Sequence, residues 1–175
     1  LNVIEMLAKR LYGEDWNKSD RYVNKETGTT RSGNGMRNVM DIVRDKSGLV
    51  KESSWAWDKS KFNWGKYYSD IPANIKGLGK EFLKEYVIKY ERVYPTKQLM
   101  KKALQKSPLY VAGFALYQKG GLYRSYGRAN HAFTVVRYVE GSHWLVFGSY
   151  SPFVKKLDWN YGFFSAYTIE LSKKN

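Results

Sequence analysis

Asn130-His131-Ala132-Phe133-Thr134-Val135-Val136 sets a histidine at the head of a run of aromatic and β-branched residues, the composition of a strand. A histidine there has two readings. At the first residue of a strand it can face a cleft while the strand anchors it, as a proton-transfer group requires. The same position suits a residue that only caps the strand end with a hydrogen bond. Residues 108–117, 143–149 and 163–171 share the grammar of the run, rich in Val, Phe, Tyr and Leu and separated by glycine-bearing turns. Gly120-Gly121-Leu122-Tyr123 leads to His131 through a polar turn, and Glu140-Gly141 predicts a tight hairpin after it.

Ahead of these strands the periodicity is helical. Leu1-Asn2-Val3-Ile4-Glu5-Met6-Leu7 opens in a helix, with Ile4, Leu7, Ala8 and Leu11 on one face and Tyr12-Gly13 at its end. Its apolar pattern starts in the first turn with no cap before it, which reads as a start inside a longer chain; a short helix capped by Asn2 is the alternative. Asn17-Lys18-Ser19-Asp20 begins a polar connection able to cap a further turn, and residues 25–35 form a surface loop of Gly, Ser and Thr. Met36, Val39, Met40 and Val43 resume a helix that Gly48 stops. Trp55, Trp57, Phe62, Trp64, Tyr67 and Tyr68 then alternate with Lys59, Lys61 and Lys66.

Ile71-Pro72 starts a helical stretch that Gly77 and Gly79 are expected to interrupt. Thr96 caps a basic helix over 97–106, with Leu99, Met100, Ala103 and Leu104 inward and Lys97, Lys101, Lys102 and Lys106 outward. Residues 1–95 are thus expected to be mainly helical and 96–175 mainly β, an α+β arrangement of two lobes in one domain.

With 43% hydrophobic and 17% aromatic residues in 175, the chain has too much apolar surface to be disordered. Thirty Lys and Arg against 16 Asp and Glu give a formal charge of +14, which raises an anionic partner such as a nucleic-acid-containing assembly as an expectation. No stretch is long and apolar enough for a membrane span, so no membrane partner is expected and a soluble domain is. The absence of cysteine excludes disulfides, thiolate metal sites and a thiol nucleophile within these residues. His131 and His143 are twelve apart with no carboxylate cluster beside them, so no metal site is expected. Phosphate-loop, His-Glu-x-x-His and Gly-x-Ser-x-Gly patterns are absent.

The run from Ser107-Pro108-Leu109-Tyr110-Val111 through Gly120-Gly121-Leu122-Tyr123, Asn130-His131-Ala132 and Trp144-Leu145-Val146-Phe147-Gly148-Ser149-Tyr150 to Tyr167-Thr168-Ile169 resembles the C-terminal half of the papain-like cysteine peptidases. In that family a Gly-Gly-aromatic segment leads to (Asn/Asp)-His-Ala, and a hairpin leads to a strand ending in Asn-Ser-Trp. The first half is similar too. Its opening helix looks like the central helix behind the nucleophile, Gly33-Asn34-Gly35-Met36 like the glycine-bearing loop lining the substrate cleft, and Gly48-Leu49-Val50 to Ser54-Trp55-Ala56-Trp57 like the closing stretch with its aromatic pair. The resemblance implies a helical lobe packed on an antiparallel, barrel-like β lobe with the cleft between them. It also implies a peptide or protein substrate and no cofactor.

Carried over by motif, His131 takes the general base and acid position, and Gly33, Asn34, Gly35 and Ala132 line the substrate. Two departures accompany this. The family's nucleophilic Cys and its oxyanion Gln would both precede Leu1. Gly148 stands where Asn orients the imidazole, with Ser149 or a backbone carbonyl as lesser substitutes, and Tyr150 replaces the Trp that shields that hydrogen bond. The resemblance therefore implies a peptidase domain that is inactive as these residues alone. The alternative is a non-catalytic basic module on the same scaffold, binding nucleic acid or an anionic assembly.

Overall fold

The computed structural model describes residues 1–57, 60, 63–149 and 151–174, and of 115–117 the backbone alone. The chain divides into two units, one of Leu1, Val3–Lys89 and Leu171–Asn175, the other of Asn2 and Tyr90–Glu170.

In the first unit, helix α1 (Asn2–Tyr12) buries Val3, Ile4, Leu7 and Ala8 and ends where Gly13, at φ 72°, returns its N–H to the Lys9 carbonyl. Asn2 is the first helical residue and not the cap; Leu1 holds that place, with its carbonyl accepting from Ile4 and Glu5. Leu11, expected inward, is 46% exposed, because the apolar stripe is covered over the first two turns and open in the last. Ser19 caps α2 (Asp20–Glu26), its hydroxyl accepting from the Tyr22 N–H at 3.2 Å. Helix α3 (Met36–Ile42) passes into a π turn over Val43–Ser47, which Gly48 closes at φ 61°. The short α4 (Trp64–Tyr67) is capped by Asn63. Phe62, Lys59 and Lys61 lie outside the described residues.

Helix α5 (Ala73–Glu85) runs unbroken through Gly77 and Gly79, where an interruption was expected. Propensity is overridden by packing. Ile75, Gly79 and Phe82 form its buried face, and a Cβ on Gly79 would stand 2.1 Å from the Ser47 carbonyl oxygen and 2.2 Å from the Tyr22 hydroxyl. The helix approaches the π turn as closely as backbone allows.

Among the described residues six strands form one sheet: β1 (Tyr86–Val93), β2 (Leu109–Lys119), β3 (Leu122–Val139), β4 (His143–Phe147), β5 (Val154–Asp158) and β6 (Phe163–Lys173), in the order β1-β6-β2-β3-β4-β5. The ladders of β2 with β3 and β6, and of β4 with β3 and β5, are antiparallel; one parallel bridge, Tyr123↔Leu157, brings β5 back to β3. Among the described residues the sheet is not closed, since β5 pairs with β4 and β3 but not with β1. The polar segment ahead of His131, expected as a turn, is strand: β3 begins nine residues earlier, at Leu122. β5 was not expected, because Val154-Lys155-Lys156-Leu157-Asp158 lacks clean alternation.

The core of the second unit gathers Leu109, Val111, Phe133, Val135, Trp144, Val146 and Leu157 beneath Met100 and Ala103 of α6 (Lys97–Leu104). Leu99 is 42% exposed, contrary to expectation, because α6 lays only its Met100, Ala103 and Leu104 edge on the strands. Trp144 stacks on Trp159 at 5.0 Å and donates its indole N–H to the Trp159 carbonyl. Truncating any of these large side chains to alanine would cost about 2–5 kcal/mol. None of the described helices is long and apolar enough to cross a membrane.

Candidate active site

His131 sits inside β3, directly opposite Gly113 of β2. The ladder is regular up to that pair and then slips: Phe114 faces Ala129 and Ala115 faces Tyr126, so Asn130 and then Gly127-Arg128 are extra residues on the β3 side. Gly127 supports the slip with a φ of 66°. Such bulges bend a strand and redirect side chains. His131 is the last regularly paired residue before the irregularity. Both readings at the sequence level placed it at a strand end, and the bulge gives it the equivalent position within a longer strand.

The strand's alternation puts His131 on the side of Phe133 and Val135, both buried. The imidazole is half-buried, tilted against Phe133 with ring centroids 6.0 Å apart. Gly113 opposite leaves room for this layer: a Cβ there would stand 2.4 Å from the Tyr161 hydroxyl and 2.6 Å from the Phe133 ring. Tyr161 in turn donates its hydroxyl to the Phe114 carbonyl at 2.9 Å, tying the floor of the site to the bulge.

Gly148 follows β4, and its N–H donates to the Phe153 carbonyl at 2.9 Å, which closes the connection to β5. A Cβ at Gly148 would stand 3.9 Å from His131 Nε2, 3.9 Å from Lys155 Nζ and 3.9 Å from the Phe133 Cβ. The fold therefore brings residue 148 alongside Nε2 and leaves that side without a side-chain acceptor from it. Burial lowers the His131 pKa below the ordinary imidazole value, and the nearby charge of Lys155 lowers it further. Burial lowers the Lys155 pKa as well. Both causes favour the neutral form of the ring.

Ala132, next to His131, is half-buried on the opposite face of β3 and pairs with Ala112. Gly33, Asn34 and Gly35 belong to the first unit, in an exposed turn where Gly33, at φ 90°, pairs with Thr30. The Asn34 side chain braces that turn, its amide donating to the Thr27 carbonyl at 2.8 Å and its oxygen accepting from the Gly35 N–H at 2.7 Å. Tyr150 lies outside the described residues. Lys155 is a site residue that sequence reasoning missed, since two adjacent lysines beside a turn carry no signal of which one approaches residue 148.

The aromatic stretch of the first unit is organised around Arg21. Its guanidinium lies 4.3 Å from the centroid of Trp55 and 4.9 Å from that of Trp57, and it donates to the carbonyls of Tyr67, Ala56 and Lys66 and to the Ser69 hydroxyl. Trp64 and Tyr68 stack on each other at 5.8 Å, with Arg31 against Trp64.

No protein-family model and no curated protein sequence matches the chain. Solved structures do. The chain is similar to the cysteine protease and lectin-like domains of Cwp84, a surface layer associated protein of Clostridium difficile, with a TM-score of 0.75 and 12% identity over 99% of this chain and 46% of that one. It is similar to digestive procathepsin L 3 of the Tenebrio molitor larval midgut (TM-score 0.64, 14% identity, 95% of this chain, 60% of that one). It is also similar to the bromelain protease of Ananas comosus in complex with the E64 inhibitor (TM-score 0.62, 14% identity, 98% of this chain, 84% of that one). The chain spans about half the length of the first of these and 60% of the second. At such identities the likeness is one of fold: mixed helix and antiparallel sheet, as in the papain-like cysteine proteases.

Proposed function

We propose that residues 1–175 form one papain-like peptidase domain in which His131 occupies the proton-transfer position and which, as these residues alone, does not hydrolyse peptide bonds. The observation that carries this reading is the approach of residue 148 to His131 Nε2, with 3.9 Å to the site of its Cβ. That is the neighbour relation the Asn-His-Ala and Trp-Leu-Val-Phe-Gly-Ser motifs imply when laid on the family pattern.

The chemistry of such a site is acyl transfer. A thiolate attacks the peptide carbonyl, the histidine gives a proton to the leaving amine, and it then activates the water that releases the acyl group. Within these 175 residues no cysteine exists to supply the thiolate. Catalysis needs a thiol from polypeptide outside them, ahead of α1. Gly148 adds a second deficit, since it offers the imidazole no side-chain acceptor. Peptide or protein is the substrate class this reading names.

The reading as a basic binding module rests on the +14 charge. Its base-stacking stretch is engaged internally, with Trp55 and Trp57 against Arg21 and Trp64 against Tyr68, so the peptidase scaffold is preferred. The test is an N-terminally extended chain treated with E64. A cysteine just ahead of α1 that is alkylated, with labelling lost in His131→Ala, is the expected result for an active form. A folded, extended chain that carries the cysteine and resists labelling would remove the peptidase activity. Ser, Gly or Ala in that position would mark a scaffold without catalysis.

A further inference from the structure

The first unit carries a cavity of about 530 Å³ between the end of α2, the turn that follows it, and α4. Lys25, Thr29, Thr30 and Arg31 line it from the first segment, and Trp64 and Tyr68 from the second. Its size is that of a pocket for a small organic molecule. Cationic and aromatic groups meet there.

Arg31 is set in place by its backbone. It is the first of two residues in a tight turn closed by Thr30 and Gly33: the Gly33 N–H donates to the Thr30 carbonyl at 2.9 Å, and the Thr30 N–H to the Gly33 carbonyl at 3.4 Å. The Thr29 N–H donates to the Asn24 carbonyl at 2.8 Å, which ties the turn to α2. The guanidinium carbon lies 4.8 Å from the centroid of the Trp64 ring. An aromatic face attracts the charge but holds no oxygen for the five N–H groups to point at. Among the described residues, no carboxylate or carbonyl accepts from the Arg31 side chain. Nearby acids do not cancel its charge. Glu26 pairs with Lys76 at 3.3 Å, and Asp70 with Lys25 at 3.1 Å. The Asp70 side chain is wholly exposed, so that pair is weak and leaves Lys25 able to turn toward an anion in the cavity.

We propose that this cavity binds a small ring-bearing oxyanion, a carboxylate or phosphate attached to an aromatic ring, with the Arg31 fork on the oxyanion and the Trp64–Tyr68 pair against the ring. A planar guanidinium matches two oxygens of either group. Lys25 adds a second charge, and the formal charge of +14 draws anions to the surface. Trp64 and Tyr68 stack 5.8 Å apart at 9°, which leaves no room for a third ring between them. The ligand ring therefore meets the stack at its rim, in the edge-to-face contact that aromatic rings favour. A neutral ring would leave the guanidinium without an acceptor, and a bare ion would leave the rings unused. Neither His131 nor a thiol takes part, so the proposal stands whether or not the peptidase reading does.

The test is titration of the 175-residue chain with phenyl phosphate, benzoate, inorganic phosphate and benzyl alcohol at about 0.15 M salt, with the backbone amides followed by NMR. Saturable shifts centred on residues 28–31 and 64–68 are expected with phenyl phosphate or benzoate at millimolar concentration or below, and the tighter of the two names the oxyanion. Inorganic phosphate and benzyl alcohol should each bind about tenfold more weakly or worse. Arg31→Gln should weaken the ring-bearing ion about tenfold or more. Lys106→Gln, which removes the same charge from an exposed place after α6, should leave its affinity unchanged. No saturable binding of either ring-bearing ion up to about 10 mM would overturn the proposal, as would shifts centred elsewhere, equal affinity for inorganic phosphate or benzyl alcohol, or an equal loss in the two variants. Should Arg31→Gln fail to fold, the ligand series on the unaltered chain decides alone.

Discussion

Gly48 and Gly79 meet backbone to backbone: a Cβ on Gly48 would stand 2.0 Å from the Gly79 carbonyl oxygen, and one on Gly79 2.1 Å from the Ser47 carbonyl oxygen. Gly48 also holds a φ of 61°, so both its shape and its place require glycine. The two glycines of α5 should therefore respond oppositely to alanine. Gly79→Ala forces the helix off the π turn and should destabilise by about 1–3 kcal/mol or more. Gly77→Ala meets nothing within 4 Å and should stabilise by up to about 1 kcal/mol through helix propensity. Urea unfolding of the two variants reads the difference directly; equal effects would remove the close-approach account of Gly79.

Arg21 is not replaceable by lysine. Its planar fork reaches four acceptors while its face covers two indoles, and a lysine offers one point charge to the same set. Arg21→Lys should cost about 2–3 kcal/mol, from lost charged hydrogen bonds and lost cation–π contact. Limited proteolysis between α2 and α5 should accelerate in step with the stability loss. Unchanged cleavage in a destabilised variant would place the effect elsewhere.

How far the sequence carried can be judged at particular residues. The strand around Phe133 and Val135 was legible because β-branched and aromatic residues concentrate where the sheet is buried. The first half of β3 was not, since Arg124, Ser125, Gly127, Arg128 and Asn130 are turn-like in composition and extended only because β2 pairs with them. Local propensity cannot see a partner strand that lies several residues earlier. The interruption expected at Gly77 and Gly79 failed for the same reason: the contact with Ser47 that holds α5 is non-local. The adjacency of residue 148 to His131 was legible through motif order. The approach of Lys155 to the same place was not, because it joins a residue of β5 to the segment after β4 and belongs to no single run of residues.

Both ends of the pH range should expose buried titrating groups. Tyr22 and Tyr161 are almost wholly buried, and burial pushes each pKa up to about 12, aided at Tyr22 by the charge of Glu26. An unfolded tyrosine ionises near pH 10, so from about 10 to about 12 the unfolded chain has released protons the native chain still holds. Stability should fall as pH rises through that window. His131 works at the other end. Its native pKa is depressed below the unfolded value of about 6.5, so the unfolded chain gains the proton first and stability should fall as pH drops below about 6.5. Urea midpoints across pH, with phenolate absorbance followed in parallel, check both limbs. Full phenolate absorbance with the fold intact near pH 10 would contradict the alkaline limb.

Gly148→Asn should restore an acceptor beside His131 at little cost to the fold. Gly148 does not use a positive φ, and the nearest atoms to a new Cβ lie at 3.9 Å, ordinary contact, so the change in stability should stay within about 1 kcal/mol. The Cβ of that side chain would stand 3.9 Å from Nε2 of His131, and a carboxamide oxygen beyond it has two lone pairs to offer. An oxygen there that accepts from the ring would hold a proton at Nε2. The His131 midpoint should rise, because a hydrogen bond accepted from the imidazolium favours the charged form. In an extended chain carrying a thiol ahead of α1, peptide turnover should rise with it. Ring-nitrogen NMR on Gly148→Asn reports the first effect without any thiol. A folded variant in which the His131 midpoint is unmoved would show that position 148 does not govern this histidine.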